Sequence, residues 1–213
     1  MSQLALTQGV SDFGGEHDFW ETPAYAVEAI LPLLPPALQD DGVETRWHLI
    51  EPCAGRGAII DVAFVALAPC ALTAFEIDPR RHGELVDRWG HTGALHCHDF
   101  LQATRDDCRV GLGPSLWITN PPYSKPREGI GVDILEHALE LSGPADCVAF
   151  LMQTDVCTGV GTCERIHERY PGSFHPLKRR PSFSGNGKSG TRPFGWFVFD
   201  RRTPTRTFRP LQV

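Results

Sequence analysis

Short apolar runs alternate along the chain with segments whose apolar residues recur every three or four positions. Runs bounded by turn residues are typical of buried parallel strands, and the wider spacing indicates helices with one buried face. The pattern predicts strands near 47–51, 72–76, 94–98, 115–119, 147–152, 175–179 and 196–200. It predicts helices near 23–34, 58–67, 80–89, 131–142 and 163–169. Strands and helices that alternate in this way predict a doubly wound α/β fold.

The predicted helix 23–34 carries a start signal and a stop signal. Thr22 and Pro23 mark its start, as a capping residue followed by a first-turn proline, and Pro35-Pro36 marks its end. We therefore expect one continuous helix ahead of the first strand.

Small or polar residues follow each of the first three predicted strands. They are Glu51-Pro52-Cys53-Ala54-Gly55-Arg56-Gly57, then Glu76 with Asp78, then Asp99-Phe100. Glycine lets a backbone approach a ligand closely, and an acid at the tip of the second strand suits the ribose hydroxyls of a nucleoside. Each feature alone also fits an ordinary turn or a solvated strand end. Together, in this order, they predict a nucleoside cofactor site at the carboxyl edge of the sheet.

A rigid tetrad, Asn120-Pro121-Pro122-Tyr123, follows the fourth predicted strand. The two prolines fix φ and remove two backbone donors, and the residue before a proline is kept extended. The Asn120 amide and the carbonyls of Asn120 and Pro121 therefore point in fixed directions beside the Tyr123 ring. This arrangement suits a planar substrate that carries an NH2 group, although a proline-rich turn with no chemistry remains the alternative.

In these three strand-end segments and in the tetrad, the chain resembles the class I S-adenosylmethionine-dependent methyltransferases. Within that class it is similar to the amino-methyltransferases that modify exocyclic nitrogens of bases, from about Asp18 to Asp200. The resemblance implies a Rossmann-like sheet of about seven strands with helices on both faces and an antiparallel hairpin at its edge. It also implies S-adenosyl-L-methionine as the cofactor.

The resemblance assigns roles to residues of this chain. Trp20, Thr22 and Pro23 would reach the methionine end of the cofactor, and the Glu51–Gly57 segment, with Glu51, Cys53, Gly55 and Gly57, would form its loop. Glu76 and Asp78 would bind the ribose, and Asp99 and Phe100 the adenine. The catalytic residues would be Asn120, Pro121, Pro122 and Tyr123.

The resemblance also implies an acceptor. Asparagine at the first position of the tetrad favours adenine N6 over cytosine N4, and the stretch from Arg180 to Asp200 is similar to the ending of small phage and prophage adenine methyltransferases. We expect direct methyl transfer to a flipped-out adenine in DNA. One alternative acceptor is another planar nitrogen: guanine N2 of rRNA, cytosine N4 or a protein glutamine amide. The other alternative is an inactive nucleic-acid-binding protein with the same fold.

The charge of the chain is unevenly distributed. Residues 171–213 hold nine of the twenty Lys and Arg residues and one acid, a net charge of +8, so residues 1–170 carry −14 of the formal total of −6. This asymmetry predicts a basic face for DNA, or for RNA. The candidate substrate-binding residues are Lys178, Arg179, Arg180 and Lys188, with Phe183 either stacking on the base or simply packing.

Composition is that of one globular unit. With 213 residues, 41% of them hydrophobic, we expect a flexible segment 1–17, a single domain over 18–200 and a basic tail over 201–213. The seven scattered cysteines and the absence of a secretory or membrane-spanning segment predict reduced thiols in a cytoplasmic protein. The resemblance to phage and prophage enzymes implies that this cytoplasm is that of a bacterial or phage-infected cell. His96, Cys97 and His98 lack paired metal-ligand spacing, so we expect no metal.

Overall fold

The structure, a computed structural model, describes residues 19–37, 44–108, 113–123, 126–156, 159–183, 192–205 and 207. The predicted flexible segment 1–17, Lys188 and part of the predicted tail 201–213 lie outside these ranges. None of the helices in the described ranges is long and apolar enough to cross a membrane.

Seven strands within the described ranges form one mixed sheet. They are β1 (His48–Glu51), β2 (Ala71–Phe75), β3 (Ala94–His96), β4 (Ser115–Thr119), β5 (Cys147–Gln153), β6 (Ser173–Pro176) and β7 (Phe194–Asp200). The strand order is β3-β2-β1-β4-β5-β7-β6, with β7 antiparallel to both β5 and β6 and the other pairs parallel. This topology confirms the predicted doubly wound sheet and its antiparallel edge.

Five helices in the described ranges connect these strands. They are α1 (Ala24–Glu28), α2 (Ala58–Leu67), α3 (Pro79–Trp89), α4 (Ile130–Leu141) and the short α5 (Val160–Thr162), which continues as a π-helical turn over Cys163–His167. Short 3₁₀ turns lie at Leu31–Leu33 and Phe100–Gln102.

Helices cover both faces of the sheet because successive side chains of each strand point to opposite sides. Leu49 of β1 packs in one core cluster with Ile59 of α2 and Leu85 of α3. Its neighbour Ile50 packs in the other cluster with Leu135 of α4. The strands are thus buried on both faces, which explains why they read as continuous apolar runs.

The start of the chain differs from its prediction. The expected continuous helix 23–34 is divided into α1 and the 3₁₀ turn at Leu31–Leu33, because Pro32 has no N–H to continue an α-helix and its ring clashes with the preceding turn. Pro23, rather than Thr22, is the N-terminal capping residue of α1, and its side chain makes no capping hydrogen bond. The Thr22 side chain has a different partner, described below.

Several strand boundaries also differ from their predictions: β6 ends at Pro176 instead of 179, β7 begins at Phe194 instead of 196, and the end of β3 and the start of β6 have a clear structural cause. β3 ends at His96, two residues early, because Asp99 accepts a hydrogen bond from the Leu101 backbone at 3.0 Å and turns the chain into a 3₁₀ helix. β6 begins at Ser173, ahead of the predicted position 175, where Phe174 stacks against Phe197 of β7 with ring centroids 4.5 Å apart. Both differences depend on side-chain contacts that hydropathy spacing does not reveal.

Candidate active site

A cleft opens at the carboxyl ends of β1, β2, β3 and β4, and it contains about 930 Å³ of empty space, its open mouth included. Most of the predicted cofactor and catalytic residues lie on its wall. These are Trp20, Thr22, Glu51, Cys53, Gly55, Glu76, Asp99, Phe100, Asn120, Pro121 and Pro122. Pro23, Gly57, Asp78 and Tyr123 are not among its lining residues.

Glu51, the last residue of β1, is a buried acid at the base of the cleft. Its side chain is 1% exposed, and Oε2 has no hydrogen-bond partner among the residues that the structure describes. Burial, together with the negative charges of Asp61 and Glu76, raises the pKa of Glu51 well above its usual value, although a hydrogen bond from the Ile60 backbone opposes the shift. A buried carboxyl group of this kind is a natural partner for a cationic group.

Glu76, directly after β2, is held by the protein itself. Its Oε2 accepts a hydrogen bond from the Gly55 backbone at 2.8 Å. Its Oε1 accepts hydrogen bonds from the Asp78 backbone at 2.8 Å and from Arg81 Nε and Nη2 at 3.2 and 3.0 Å. A carboxylate oxygen accepts about two hydrogen bonds, so Oε2 keeps one position for a ligand hydroxyl. Glu76 is 6% exposed, so it is not the solvated strand-end acid that the sequence left open as an alternative.

Three of the predicted cofactor residues have a structural role in this fold. A Cβ atom at Gly57, where φ is +87°, would lie 2.9 Å from Leu85 Cδ1, so this glycine lets α2 pack against α3. Asp78 caps α3 by accepting hydrogen bonds from the Arg80 and Arg81 backbones at 2.8 and 3.4 Å. Burial alone would raise the pKa of Asp78, but these bonds and the Arg81 charge lower it. Pro23 caps α1.

Gly55 is crowded by another part of the chain, and its predicted close approach to a cofactor stays a prediction. Its φ is +54°, and an added Cβ would lie 2.7 Å from Cε2 of the Phe19 ring. That ring also lies under two guanidinium groups, with Arg56 at 5.2 Å and Arg81 at 5.0 Å from its centroid. Phe19 adjoins Trp20 in the N-terminal segment that the resemblance places near the methionine end of the cofactor, but the resemblance assigned it no separate role.

The predicted adenine-binding pair is only partly suited to that role. Both residues line the cleft, but Phe100 is only 3% exposed, because its ring packs edge-on against Phe75 with centroids 5.3 Å apart. Ile77, which the sequence analysis did not single out, also lines the cleft and is 40% exposed. An exposed apolar side chain beside Glu76 is the better surface for a planar ring. Its position directly after a strand-end acid was the signal that could have identified it.

The amide of Asn120 is fixed at both ends. Its Nδ2 donates to the Trp20 carbonyl at 3.2 Å and to Thr22 Oγ1 at 3.1 Å. The Tyr123 hydroxyl donates to Oδ1. Residues about one hundred positions apart in the chain thus meet at the centre of the site.

A second cavity lies on the other side of the tetrad. Its walls include Trp20, Pro122, Tyr123, Met152 and Gln153, and it contains about 1230 Å³ of empty space, open solvent included. Trp20 and Pro122 line both cavities, so they form the partition between them. The Tyr123 ring packs edge-on against Phe194 at 5.2 Å.

Phe183 does not line either cavity. It is 6% exposed and packs edge-on against Trp20 at 5.6 Å and against Phe194 at 5.0 Å. Of the two expectations for this residue, stacking on a base or simple packing, the structure agrees with packing. Phe183 contacts the Trp20 ring and so supports the partition between the two cavities.

The basic segment Lys178–Arg180 is exposed and is anchored to α1. The Tyr25 hydroxyl donates to the Arg180 carbonyl at 3.4 Å and accepts from the Ser182 backbone at 3.3 Å, and the Arg179 guanidinium lies 5.4 Å from the Tyr25 ring centroid. Among the described residues, none of the three basic side chains is paired with a carboxylate. Tyr25 is a second residue that the sequence analysis missed.

The described cysteines and histidines form no metal site. Within the described ranges, no group of three His, Cys, Asp or Glu residues is placed to hold a metal ion. Burial, with the nearby charges of Glu76, Glu51 and Asp99, raises the pKa of the Cys53 thiol well above its usual value. Cys53 therefore lines the cleft as a poor nucleophile.

Solved structures share this fold, although no protein-family model and no curated protein sequence matches the chain. A candidate RNA methyltransferase from Pyrococcus horikoshii superposes with a TM-score of 0.62 at 14% identity, over 90% of this chain and 92% of that one. The 23S rRNA methyltransferase ErmE superposes with a TM-score of 0.55 at 16% identity, over 89% of this chain and 69% of that one. A candidate class I S-adenosylmethionine-dependent methyltransferase from Listeria monocytogenes superposes with a TM-score of 0.62 at 12% identity, over 93% of this chain and 64% of that one. The chain has the class I methyltransferase fold.

Proposed function

We propose that this protein is an S-adenosylmethionine-dependent methyltransferase that acts on the exocyclic N6 of adenine in DNA. The observation that carries the proposal is the position of Asn120. This residue lines the first cavity, and its amide is hydrogen-bonded to Trp20, which with Pro122 also lines the second cavity. One cavity suits a nucleoside cofactor and the other suits a flipped base.

The cleft fits the proposed cofactor at several points. The buried Glu51 Oε2 can accept a hydrogen bond from an ammonium group, such as that of the methionine moiety. Glu76 Oε2 can accept one ribose hydroxyl, and Ile77 and Asp99 can contact the adenine. When bound, S-adenosylmethionine would supply a methyl group activated by a positively charged sulfur.

The tetrad can prepare the acceptor nitrogen. The lone pair of an exocyclic base nitrogen is delocalised into the ring, which makes the nitrogen a poor nucleophile. Hydrogen bonds from this NH2 group to Asn120 Oδ1 and the Pro121 carbonyl would favour a pyramidal nitrogen with a localised lone pair. These residues would act mainly by positioning, and the displaced amine proton would leave to solvent.

The acceptor assignment depends on the second cavity and on the basic segment. A base inside a duplex must be flipped out before its amino group can reach the tetrad, and Trp20 and Tyr123 offer aromatic surface in the second cavity. The exposed cations of Lys178–Arg180, which pair with no carboxylate in the described part of the chain, offer contacts to phosphates.

RNA is the second candidate acceptor. Two of the similar structures carry names that describe them as RNA methyltransferases or candidates for that activity. Asn120 and the basic segment suit either nucleic acid, and the acceptor test must therefore include both.

Partition of radioactivity among acceptors tests the proposed function. The protein is incubated with S-adenosylmethionine tritiated in its methyl group and with duplex DNA, single-stranded DNA, structured RNA or a protein extract. We expect label in DNA. Label confined to RNA would establish the second candidate, label confined to protein would favour a glutamine amide, and no label anywhere would contradict the enzymatic assignment.

Charge reversal tests the basic segment. Lys178→Glu, Arg179→Glu and Arg180→Glu together should weaken DNA binding and flatten its log–log salt dependence by about one unit for each phosphate that the protein no longer neutralises. Cofactor affinity should stay the same, because none of the three lines the cleft. The matched control reverses the exposed Arg46, Arg80 and Arg105, which gives the same change in net charge elsewhere. Equally weakened binding in the two triple variants would contradict a localised nucleic-acid face.

Replacement of Glu51 tests the buried acid. The folded protein holds the proton of Glu51 to a higher pH than the unfolded chain does, so stability should fall as pH rises from the ordinary glutamate pKa through the raised one. Glu51→Gln removes this ionisation and should flatten the pH dependence of urea unfolding. The same change should weaken S-adenosylmethionine binding by about 10-fold or more, since it removes a charge-assisted hydrogen bond. Parallel stability profiles for the two proteins, with unchanged affinity, would contradict this role.

A further inference from the structure

The Asn120 amide is oriented by its contacts with Trp20 and Thr22. We propose that Thr22 is a positioning residue for methyl transfer: its hydroxyl, with the Trp20 carbonyl, holds Asn120 so that Oδ1 faces the acceptor. The sequence resemblance had placed Thr22 at the methionine end of the cofactor. This inference rests on the proposed function and assigns Thr22 to the catalytic asparagine instead.

The orientation of the amide follows from the chemistry of its partners. Oxygen and nitrogen of an amide are assigned from their hydrogen bonds, and a carbonyl oxygen can only accept one. The group of Asn120 that lies 3.2 Å from the Trp20 carbonyl must therefore be the NH2 group. The second proton of that group goes to Thr22 Oγ1 at 3.1 Å. Both donor positions of Nδ2 are then used within the protein.

The other end of the amide is left as an acceptor. An amide oxygen accepts two hydrogen bonds, and the Tyr123 hydroxyl provides one of them. The remaining position on Oδ1 can accept a hydrogen bond from an NH2 group, but this oxygen cannot donate a hydrogen bond. Thr22 and Trp20 thus make the site selective for a substrate that donates, as an exocyclic amine does.

The segment that carries these groups is itself firmly packed. We call Phe19–Thr22 the N-terminal strap. Its Phe19 ring contacts the cofactor loop at Gly55, and Trp20 is supported by Phe183. Thr22 is buried, and Pro23 rather than Thr22 occupies the N-cap position of α1. The Thr22 hydroxyl lies instead 3.1 Å from Asn120 Nδ2. Arg81, through its contact with Phe19, also ties the strap to Glu76.

Kinetics of Thr22 variants provide the first test. Thr22→Val keeps the shape of the side chain but removes the acceptor, and we expect kcat to fall by about 10- to 100-fold, as for a misplaced catalytic group. The Kd of S-adenosylmethionine should change by less than about 2-fold. Thr22→Ser should recover most of kcat, and Thr92→Val, between α3 and β3, is the matched control. A rise in Kd that matches the fall in kcat would return Thr22 to the cofactor site and overturn the proposal.

A spectroscopic test needs no activity. The chain contains two asparagines, Asn120 and Asn186, so ¹⁵N-asparagine labelling gives two side-chain NH2 signals, with Asn186 as the internal reference. In Thr22→Val the Asn120 NH2 protons should shift and exchange with water faster. Thr22→Ala gives the same expectation if the valine variant does not fold. Unchanged Asn120 signals would overturn the proposal, whereas the expected signal changes in a protein that methylates no acceptor would contradict only the proposed function.

Discussion

Asn120→Ala should lower kcat by at least about 100-fold and leave the Kd of S-adenosylmethionine within about 2-fold of its normal value. The reason is that Oδ1 contributes most as the acceptor nitrogen becomes pyramidal, and removal of one such group commonly costs 10²- to 10³-fold in kcat. Steady-state kinetics and calorimetry together measure the two quantities. A variant that kept most of its turnover would contradict activation of the amine by the tetrad.

Asn120→Asp separates the two ends of the amide. The aspartate keeps an acceptor towards Tyr123 but places a second oxygen against the Trp20 carbonyl, where Nδ2 now donates at 3.2 Å. Two oxygens cannot form that bond, so we expect the side chain to turn away and kcat to fall by about 10-fold or more. Full activity in this variant would show that the strap does not orient the residue.

Glu76→Ala should lower the free energy of unfolding by about 2–3 kcal/mol, because the buried Arg81 guanidinium loses two hydrogen bonds to Glu76 and keeps only Asp78 as an ion-pair partner. Gly55 also loses its acceptor, and cofactor affinity should fall by about 10-fold or more. Urea unfolding followed by tryptophan fluorescence measures the first effect, and calorimetry the second.

Glu84→Ala is the matched control for Glu76→Ala. Glu84 pairs with Arg56 at 2.8 Å, but its side chain is 51% exposed, so its removal should cost about 1 kcal/mol or less. Equal decreases of stability in the two variants would show that the Glu76–Arg81 pair is not energetically distinct from a surface ion pair.

The positions of the candidate cofactor-binding residues were predictable because these residues follow strands that hydropathy patterning identifies. Glu51, Gly55, Glu76 and Asp99 lie near the ends of strands that hydropathy alone identifies, and parallel strands bring those ends to one edge. The antiparallel edge was inferred from family resemblance and then observed in β6 and β7.

Contacts between distant residues were not predictable in the same way. Thr22 has the spacing of a helix cap, and only the folded chain shows that its hydroxyl meets Asn120. The sequence predicted a ligand-contacting ring for Phe100 and left stacking and packing open for Phe183, and both rings are buried by aromatic neighbours that come from other elements. Periodicity identifies a buried face but does not identify the partner that covers it.

The second cavity was missed for a similar reason. Its wall combines Trp20 from the strap, Tyr123 from the tetrad and Gln153 at the end of β5. No local pattern links these three residues, because each belongs to a different element. The Tyr25 anchor of the basic segment likewise joins positions more than 150 residues apart.

Nucleoside analysis tests the central claim most directly. DNA that contains only unmodified bases is incubated with the protein and S-adenosylmethionine, digested to nucleosides and analysed by mass spectrometry. We predict N6-methyldeoxyadenosine with the normal protein and at least about 100-fold slower formation with Asn120→Ala. N4-methyldeoxycytidine, or methylated nucleosides found only when RNA replaces DNA, would contradict the adenine-N6 DNA assignment.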